Sequence, residues 1–418
     1  MNSEKEKNNK ERLSRSQKIN IKVDNEREQN PYYLKVARRY RVVKLVSVLL
    51  LLAFVVGMII LYRDQITYEN LVYLAKDLDT DIDAEGAAFS EIKYDESRKM
   101  SAAIFKGKLA IATTTSLTLY NNTGSAERSF KISMENPKVL TGDKYVMVYD
   151  VGGTTYSICT SLVEAQSKQT DYALQGAALS KSGSFALLNR ARENRYVISI
   201  FDENFRELSR IYKDKYVMDV ALSDDGTRYA VASCDIGTTD FTTEVMFGIC
   251  GSENAKSFTI DDAMPLNVFF FGDGSFCVVC DSSVHFYAAN GEETANYPLI
   301  GYGVSGVSFS DDRVLLVCSA NAVDSASKAT VFKSDGTEEM TFGGDKKINY
   351  CAIGEAGVFY ASDGVLTKVL FDGTEKQTEC PVFISGLVPF SDNVLVLGKT
   401  SAVTGFAEET SAPEETDG

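Results

Sequence analysis

Tryptophan is absent from the 418 residues, and histidine occurs once, as His285. A single imidazole leaves no material for a His-rich metal site, and any His-based triad depends on that one residue. Basic residues thin out along the chain. Residues 1–44 hold 13 Lys/Arg against 6 Asp/Glu, whereas the remainder holds 30 against 52. An acidic body with so few clustered cations excludes nucleic acid as a partner, because phosphate binding needs Lys and Arg. Beyond about residue 88 no helical periodicity of useful length occurs, which excludes the helical and mixed fold classes for most of the chain.

The charge asymmetry has a cause in the sequence. Leu45–Tyr62, LVSVLLLLAFVVGMIILY, is an uncharged run extended upstream by Val42 and Val43. It is long enough to cross a bilayer core of about 30 Å as a helix. A cleaved signal peptide fits poorly, because the preceding region is long and no small-x-small site precedes Arg63. Lys35, Arg38, Arg39, Arg41 and Lys44 crowd the N-terminal side. The expected topology is therefore N-terminus in the cytoplasm and acidic body outside, a single-pass signal anchor at the cell membrane.

The divisions that follow are a basic, disordered tail (1–41), a transmembrane helix (42–62), a stalk helix with an acidic linker (63–87), an all-β domain (88–405) and an acidic disordered tail (406–418). Ser14 and Ser16, among Arg12, Arg15 and Lys18, are candidate phosphorylation sites within what reads as solvated tail. In the stalk, Leu71, Leu74, Ala75 and Leu78 keep helical spacing behind a Thr67 N-cap.

From residue 88 onward, short runs rich in Val, Ile, Phe, Tyr and Thr alternate with Gly, Asp, Asn and Ser clusters. One unit recurs. ALSDDGTRYAVAS (221–233) shares its plan with AALSKSGSFALLN (177–189), FFFGDGSFCVVCD, VSFSDDRVLLVCS, CAIGEAGVFYASD and LVPFSDNVLVLGK, and weaker copies lie upstream. The turns are marked by Gly107, Asp143, Gly183, Gly226, Gly274, Asp312, Gly357 and Asp392, spaced 35 to 48 residues apart. A loose period of this length with four strand-like runs predicts a β-propeller of eight four-stranded blades, with seven as the alternative. The turn aspartates and glycines are there for backbone reasons, so Asp224 and Asp225 read as punctuation rather than as ligands. The last unit has room for three strands and not a fourth. AAFSEIKYD (87–95) is the only unassigned strand-like run, and residues 88–94 are expected to close the ring as the outer strand of the last blade. Ile92 and Tyr94 should then share one face, with Phe89 on the other.

The unit LSDDGTRYAVAS resembles the turn of WD-repeat-like, YVTN-like and quinoprotein-like propellers. The full plan of basic tail, signal anchor, YENLVYLAKDLD and propeller, across residues 35–405, resembles an uncharacterised family of membrane-anchored propellers from Gram-positive, clostridial-type bacteria. That resemblance implies a fold and an address, and no activity. The Gly-His and Trp-Asp pairs of true WD repeats, the Trp-docking motifs of quinoproteins and the spacing and Trp of a sialidase Asp-box are all missing.

Few residues carry chemistry in a recognisable pattern. In DLDTDIDAEGAAFSE (77–91), Asp81, Asp83, Glu85 and Gly86 match the first half of an EF-hand loop, but Ile92 stands where the bidentate Glu is needed and Glu91 is one short. An acidic linker is the preferred reading. Cys277 and Cys280, three apart on a strand, point to opposite faces and read as small apolar residues. Cys234 and Cys250 flank a hairpin centred near Phe241 and Thr242 and are a possible disulfide. His285, with no nucleophile context in SVHFYAA, reads as structural. No residue is assigned a catalytic, cofactor or metal role. The favoured function is a monomeric, non-enzymatic binding or scaffolding module at the cell surface, its loops recognising an envelope protein, peptide or glycan. The alternative is an envelope hydrolase or lyase with a carboxylate site in the central channel. Inward-facing carboxylates would favour the enzyme; aromatic loops on one face would favour the binder.

Overall fold

The computed structural model describes residues 31–61, 89–97, 99–191, 196–236, 241–320, 326–380 and 382–406, with backbone only for 31–38, 55 and 58–61. Residues 1–30 of the expected tail, the stalk and the acidic stretch 77–88 lie outside the described residues, and so does the EF-hand-like half-loop. Two compact units divide the chain.

In the first, helix α1 spans Pro31–Leu61 and carries the apolar run. It begins upstream of the run, in the segment expected to be tail. Its large apolar side chains from Val42 to Phe54 are exposed on every side. Among the described residues no helix is long and apolar enough to cross a membrane; the C-terminal end of the run, residues 58–62, lies outside the described side chains.

The second unit consists of eight four-stranded antiparallel sheets. Blades 1 to 7 cover residues 101–131, 137–169, 173–213, 216–261, 265–298, 303–343 and 350–379, each a meander of four consecutive strands. Blade 8 is built differently. It takes Gly386–Phe390, Asn393–Leu397 and Ser401–Thr404 from the C-terminal end and Ile92–Lys93 from the N-terminal end as its outermost strand. All eight sequence markers fall in or beside the hairpin joining the first and second strands of a blade.

Eight hydrophobic clusters hold the ring, one at each blade junction, rather than one central core. A middle strand is therefore covered on both faces and reads as a continuous apolar run, as in Lys108–Ala112 and Phe276–Cys280, every residue of which is buried. An outer strand is mostly exposed and polar, as in Glu164–Gln169. This explains Cys277 and Cys280: one packs in the cluster between blades 5 and 6, the other between blades 4 and 5.

Ring closure is specific. Ile92 pairs with Ala402 and Lys93 with Ser401. The Tyr94 hydroxyl lies 2.9 Å from the carbonyls of both Gly398 and Ser401, as donor to them, and Thr404 Oγ1 donates to the Phe89 carbonyl at 2.8 Å. Phe89 departs from expectation. It precedes the strand, so strict alternation does not apply to it, and it joins Ile92 and Tyr94 in the same cluster, edge-on to Phe390. At the other end Phe406 belongs to the domain, its amide donating to Asn393 Oδ1 and its carbonyl accepting from Asn393 Nδ2.

The turn SDDGT (223–227) is a backbone device. Asp225 accepts from Ser223 Oγ, from the Thr227 amide at 3.0 Å and from Thr227 Oγ1 at 2.8 Å. Burial alone would raise its carboxyl pKa, but these bonds outweigh it and hold the group below its ordinary value. Gly226 sits at φ +69°, and a Cβ there would lie 2.4 Å from Ser184 Oγ of the neighbouring blade. Both the conformation and the close approach require glycine.

Candidate binding face and channel

The innermost strands of the blades line the channel, and their sequences decide its chemistry. Among the described residues they carry one carboxylate, Asp219, and one cation, Lys138. Blades 3 to 6 each have a β-bulge at the same level of this strand, at Gln175, Met218, Leu266 and Ser305. A bulge re-aims the residues beside it. In blade 4 it leaves Asp219 reaching sideways: Oδ2 accepts from the Val268 amide of blade 5 at 3.0 Å, and Oδ1 from the Val220 amide at 2.9 Å. Burial pushes Asp219 up to about 6, against those two amide bonds and the Lys138 charge. The buried Tyr149 stands nearby, raised to about 12 by its own burial and then by Asp219.

Two serines do the same work at other junctions. Ser101 Oγ accepts from the Val139 amide and Ser308 Oγ from the Ile353 amide, each at 3.1 Å. Each supplies an acceptor for an innermost-strand amide of the following blade. Asp219 is thus an inter-blade clip. Glycosidase-type hydrolysis needs two carboxylates flanking the scissile bond, and the innermost strands provide no such pair.

One mouth of the channel is bridged. Lys181, in the first hairpin of blade 3, lies 2.9 Å from Asp224 of blade 4 and 2.5 Å from Asp311 of blade 6. Neighbouring hairpins also join through backbone bonds, Asp143 N to Lys181 O, Ser182 N to Asp224 O and Gly272 N to Asp311 O.

His285 has company that its sequence context hid. Its Nε2 is 2.9 Å from Ser283 Oγ and its Nδ1 2.7 Å from Glu293 Oε1, the connectivity of a Ser–His–Glu triad. Two features make it a polar clamp between the third and fourth strands of blade 5. Ser283 and His285 lie on a strand paired on both sides, so its amides belong to sheet ladders and do not form an oxyanion hole. Glu293 is 42% exposed and also accepts from Asn296, whereas a triad carboxylate is buried to hold the imidazolium. The i, i+2 spacing of Ser283 and His285 was a legible sign of shared facing; Glu293, on the next strand, was not. Cys234 and Cys250 do not face each other. The last described pair of the hairpin is Ile236 with Phe241, Cys234 pairs with Thr243 close to it, and Cys250 follows Ile249, which pairs with Arg228 at the far end. All eight cysteines are free thiols.

The opposite mouth is ringed by the loops that join second to third strands and each blade to the next. Among the described residues, the large apolar side chains that the propeller exposes, Leu208 and Ile249 apart, lie in these loops or within three residues of them. Blade 4 contributes most. Its middle strands, Arg228–Ile236 and Phe241–Ile249, are nine residues each, longer than any other strand of the domain. They carry Ile236 and Phe241, 55% and 44% exposed, as a facing pair at the tip. Tyr216 flanks the hairpin, Ile300 and Tyr302 lie between blades 5 and 6, and Phe383 between blades 7 and 8. Lys215, in the connection from blade 3 to blade 4, holds the hairpin just below its tip through Asp235 at 3.5 Å and Glu244 at 3.0 Å.

The sequence profile of a family of unknown function, DUF5711, matches residues 87–391, from just before the closing strand to the first hairpin of blade 8. The protein belongs to DUF5711. No curated protein matches this DUF5711 chain by sequence. Among solved structures it is similar to BamB from Moraxella catarrhalis, at 11% identity and a TM-score of 0.52, over 76% of this chain and 99% of that one. It is also similar to the Dos1 propeller, at 10% identity and a TM-score of 0.53, over 76% and 94% of the two chains. These likenesses show that the DUF5711 fold is a propeller.

Proposed function

We propose that this DUF5711 protein is a membrane-anchored binding module of the bacterial envelope, with the propeller outside and its loop-rich face docking a protein partner. The observation that carries the docking is the one-sided distribution of exposed apolar side chains, centred on the Ile236–Phe241 hairpin tip. Soluble proteins rarely expose contiguous apolar surface without a partner for it, and aromatic anchors dominate binding energy where one exists. The anchor rests on the uncharged run Leu45–Tyr62, long enough to cross a bilayer core as a helix. The cation excess on its N-terminal side supports a cytoplasmic N-terminus.

The test is site-specific photocrosslinking of the full chain in its own membranes. A photoreactive residue at position 236 or 241 is expected to give a discrete protein adduct, and one at 208 or 249 none. Adducts of equal yield from both faces, or from neither, refute the docking face. Protease added to intact spheroplasts is expected to remove the propeller; loss of the N-terminal tail instead refutes the topology.

A further inference from the structure

We infer that the groove between blades 2 and 3 is a binding site for a neutral oligosaccharide, separate from the protein-docking tip on blade 4. The groove has a volume of about 680 Å³, within the roughly 300–1,000 Å³ range of small-ligand sites. Its lining is unlike that of an ordinary apolar pocket, because most of the side chains are polar. A ligand that suits it is polar over its whole length.

Three properties narrow the chemistry. First, charge cancels locally. Lys168 and Arg210 face Asp171 and Glu207 in the same groove, although the body of the chain is strongly acidic. An ionic polymer would find no net charge to bind and a repelling or screening surround. Second, the polar groups are held before any ligand arrives. Both terminal oxygens of Glu207 accept from Arg210, each at 2.7 Å, and the guanidinium also bonds the Tyr212 side chain. On the floor, buried Asn189 donates to the Tyr172 carbonyl at 2.8 Å and to Thr170 Oγ1 at 3.2 Å, which fixes the loop between the blades. Planar, preorganised amide, carboxylate and guanidinium groups match the paired hydroxyls of a sugar ring, at a low ordering cost. Third, two tyrosines stand at the rim, Tyr172 at 38% and Tyr212 at 63% exposure. Tyrosine offers an apolar ring face with a polar tip, and a sugar ring offers the complementary apolar C–H face. An extended peptide would bind by main-chain pairing to a free strand edge. The groove is lined by side chains from the outer strand of blade 2 and from the second to fourth strands of blade 3, and main-chain pairing at the free edges of the two outer strands is the rival mode that the test below separates.

The test is binding of cello-, malto-, chito- and manno-oligosaccharides to the full chain in detergent, by saturation-transfer NMR and calorimetry. At least one series is expected to bind. Tyr212→Ala is expected to weaken it about tenfold or more, whereas Tyr212→Phe, which keeps the ring, weakens it less. Tyr212 is exposed, so an unchanged melting temperature in both variants establishes that they fold. Ile236→Asp with Phe241→Asp, aimed at the protein-docking tip, is expected to leave saccharide binding intact, so the two proposals fail separately. Binding of none of the four series, equal binding by wild type and Tyr212→Ala, or capture of extended peptides in the groove in place of saccharides overturns the inference.

Discussion

Deleting residues 1–95 is expected to unfold the propeller at temperatures where a deletion of residues 1–80 leaves it folded. The longer deletion removes Phe89, Ile92 and Tyr94, which are 7%, 0% and 9% exposed. Burying a large apolar side chain stabilises by about 1.5–3 kcal/mol, so the three together contribute roughly 5–9 kcal/mol. The single Tyr94 hydroxyl proton, shared between the Gly398 and Ser401 carbonyls, adds about 1 kcal/mol. Net domain stability is about 5–15 kcal/mol, so most of it goes with the segment. At about 2 °C per kcal/mol for a large domain, the melting temperature falls by roughly 10–18 °C. Calorimetry on both truncations measures this, and both lack α1, so the comparison isolates the closing strand. The single change Ile92→Ala in the full chain is a milder form, expected to cost about 2–5 kcal/mol. Equal melting temperatures for the two truncations would refute the reasoning, because the first and last blades would then be joined by something other than this strand.

Two further expectations concern titratable groups. Burial raises Asp219 to about 6 in the fold against 3.8 for the free group, so between those pH values the folded state keeps a proton that the unfolded state has released. Its contribution therefore favours folding at low pH and is lost as pH rises through about 4 to 6, by at most about 3 kcal/mol; the urea midpoint of wild type relative to Asp219→Asn should fall across that window, and a pH-independent difference would sink the assignment. Burial also raises the thiols of Cys159 and Cys280 to about 12 and of Cys250, Cys318 and Cys351 to about 11; these five should react slowly with a disulfide reagent at pH 8 in the native Cys380→Ser protein and be released once it is denatured, and rapid native release of them would contradict the burial.

The blade count was legible because it rests on turn chemistry, which is local. Asp225 with Ser223 and Thr227, or Asp273 with Ser275, writes a hydrogen-bonded turn into the clearest copies whatever surrounds them. The closing strand was legible by elimination, since blade 8 lacked a fourth strand. What the pattern hid depends on neighbouring blades. Asp219 is one polar letter in YVMDVAL, and only the bulge at Met218 and the adjacent Val268 amide make it a clip. Glu293 joins His285 through sheet register, and the groove beside Tyr212 exists only where blade 2 meets blade 3. The pairing of Cys234 with Cys250 failed because the blade 4 strands run longer than the pattern indicated, which moves the hairpin tip and sends the two sulfurs to opposite ends.

Ring closure also fixes a schedule for biosynthesis. Tyr94 and Ser401 meet although 307 residues separate them. At about 5–20 residues per second, roughly 15–60 s pass between synthesis of the closing strand and of its partner. During that interval the first-made strand has no partner to pair against, because its only ladder partner among the described residues is Ser401–Thr404. Any stop codon upstream of Ala402 therefore leaves both ends of the ring unsealed, however complete the blades between them, and makes an intact C-terminus the checkpoint for the whole ring.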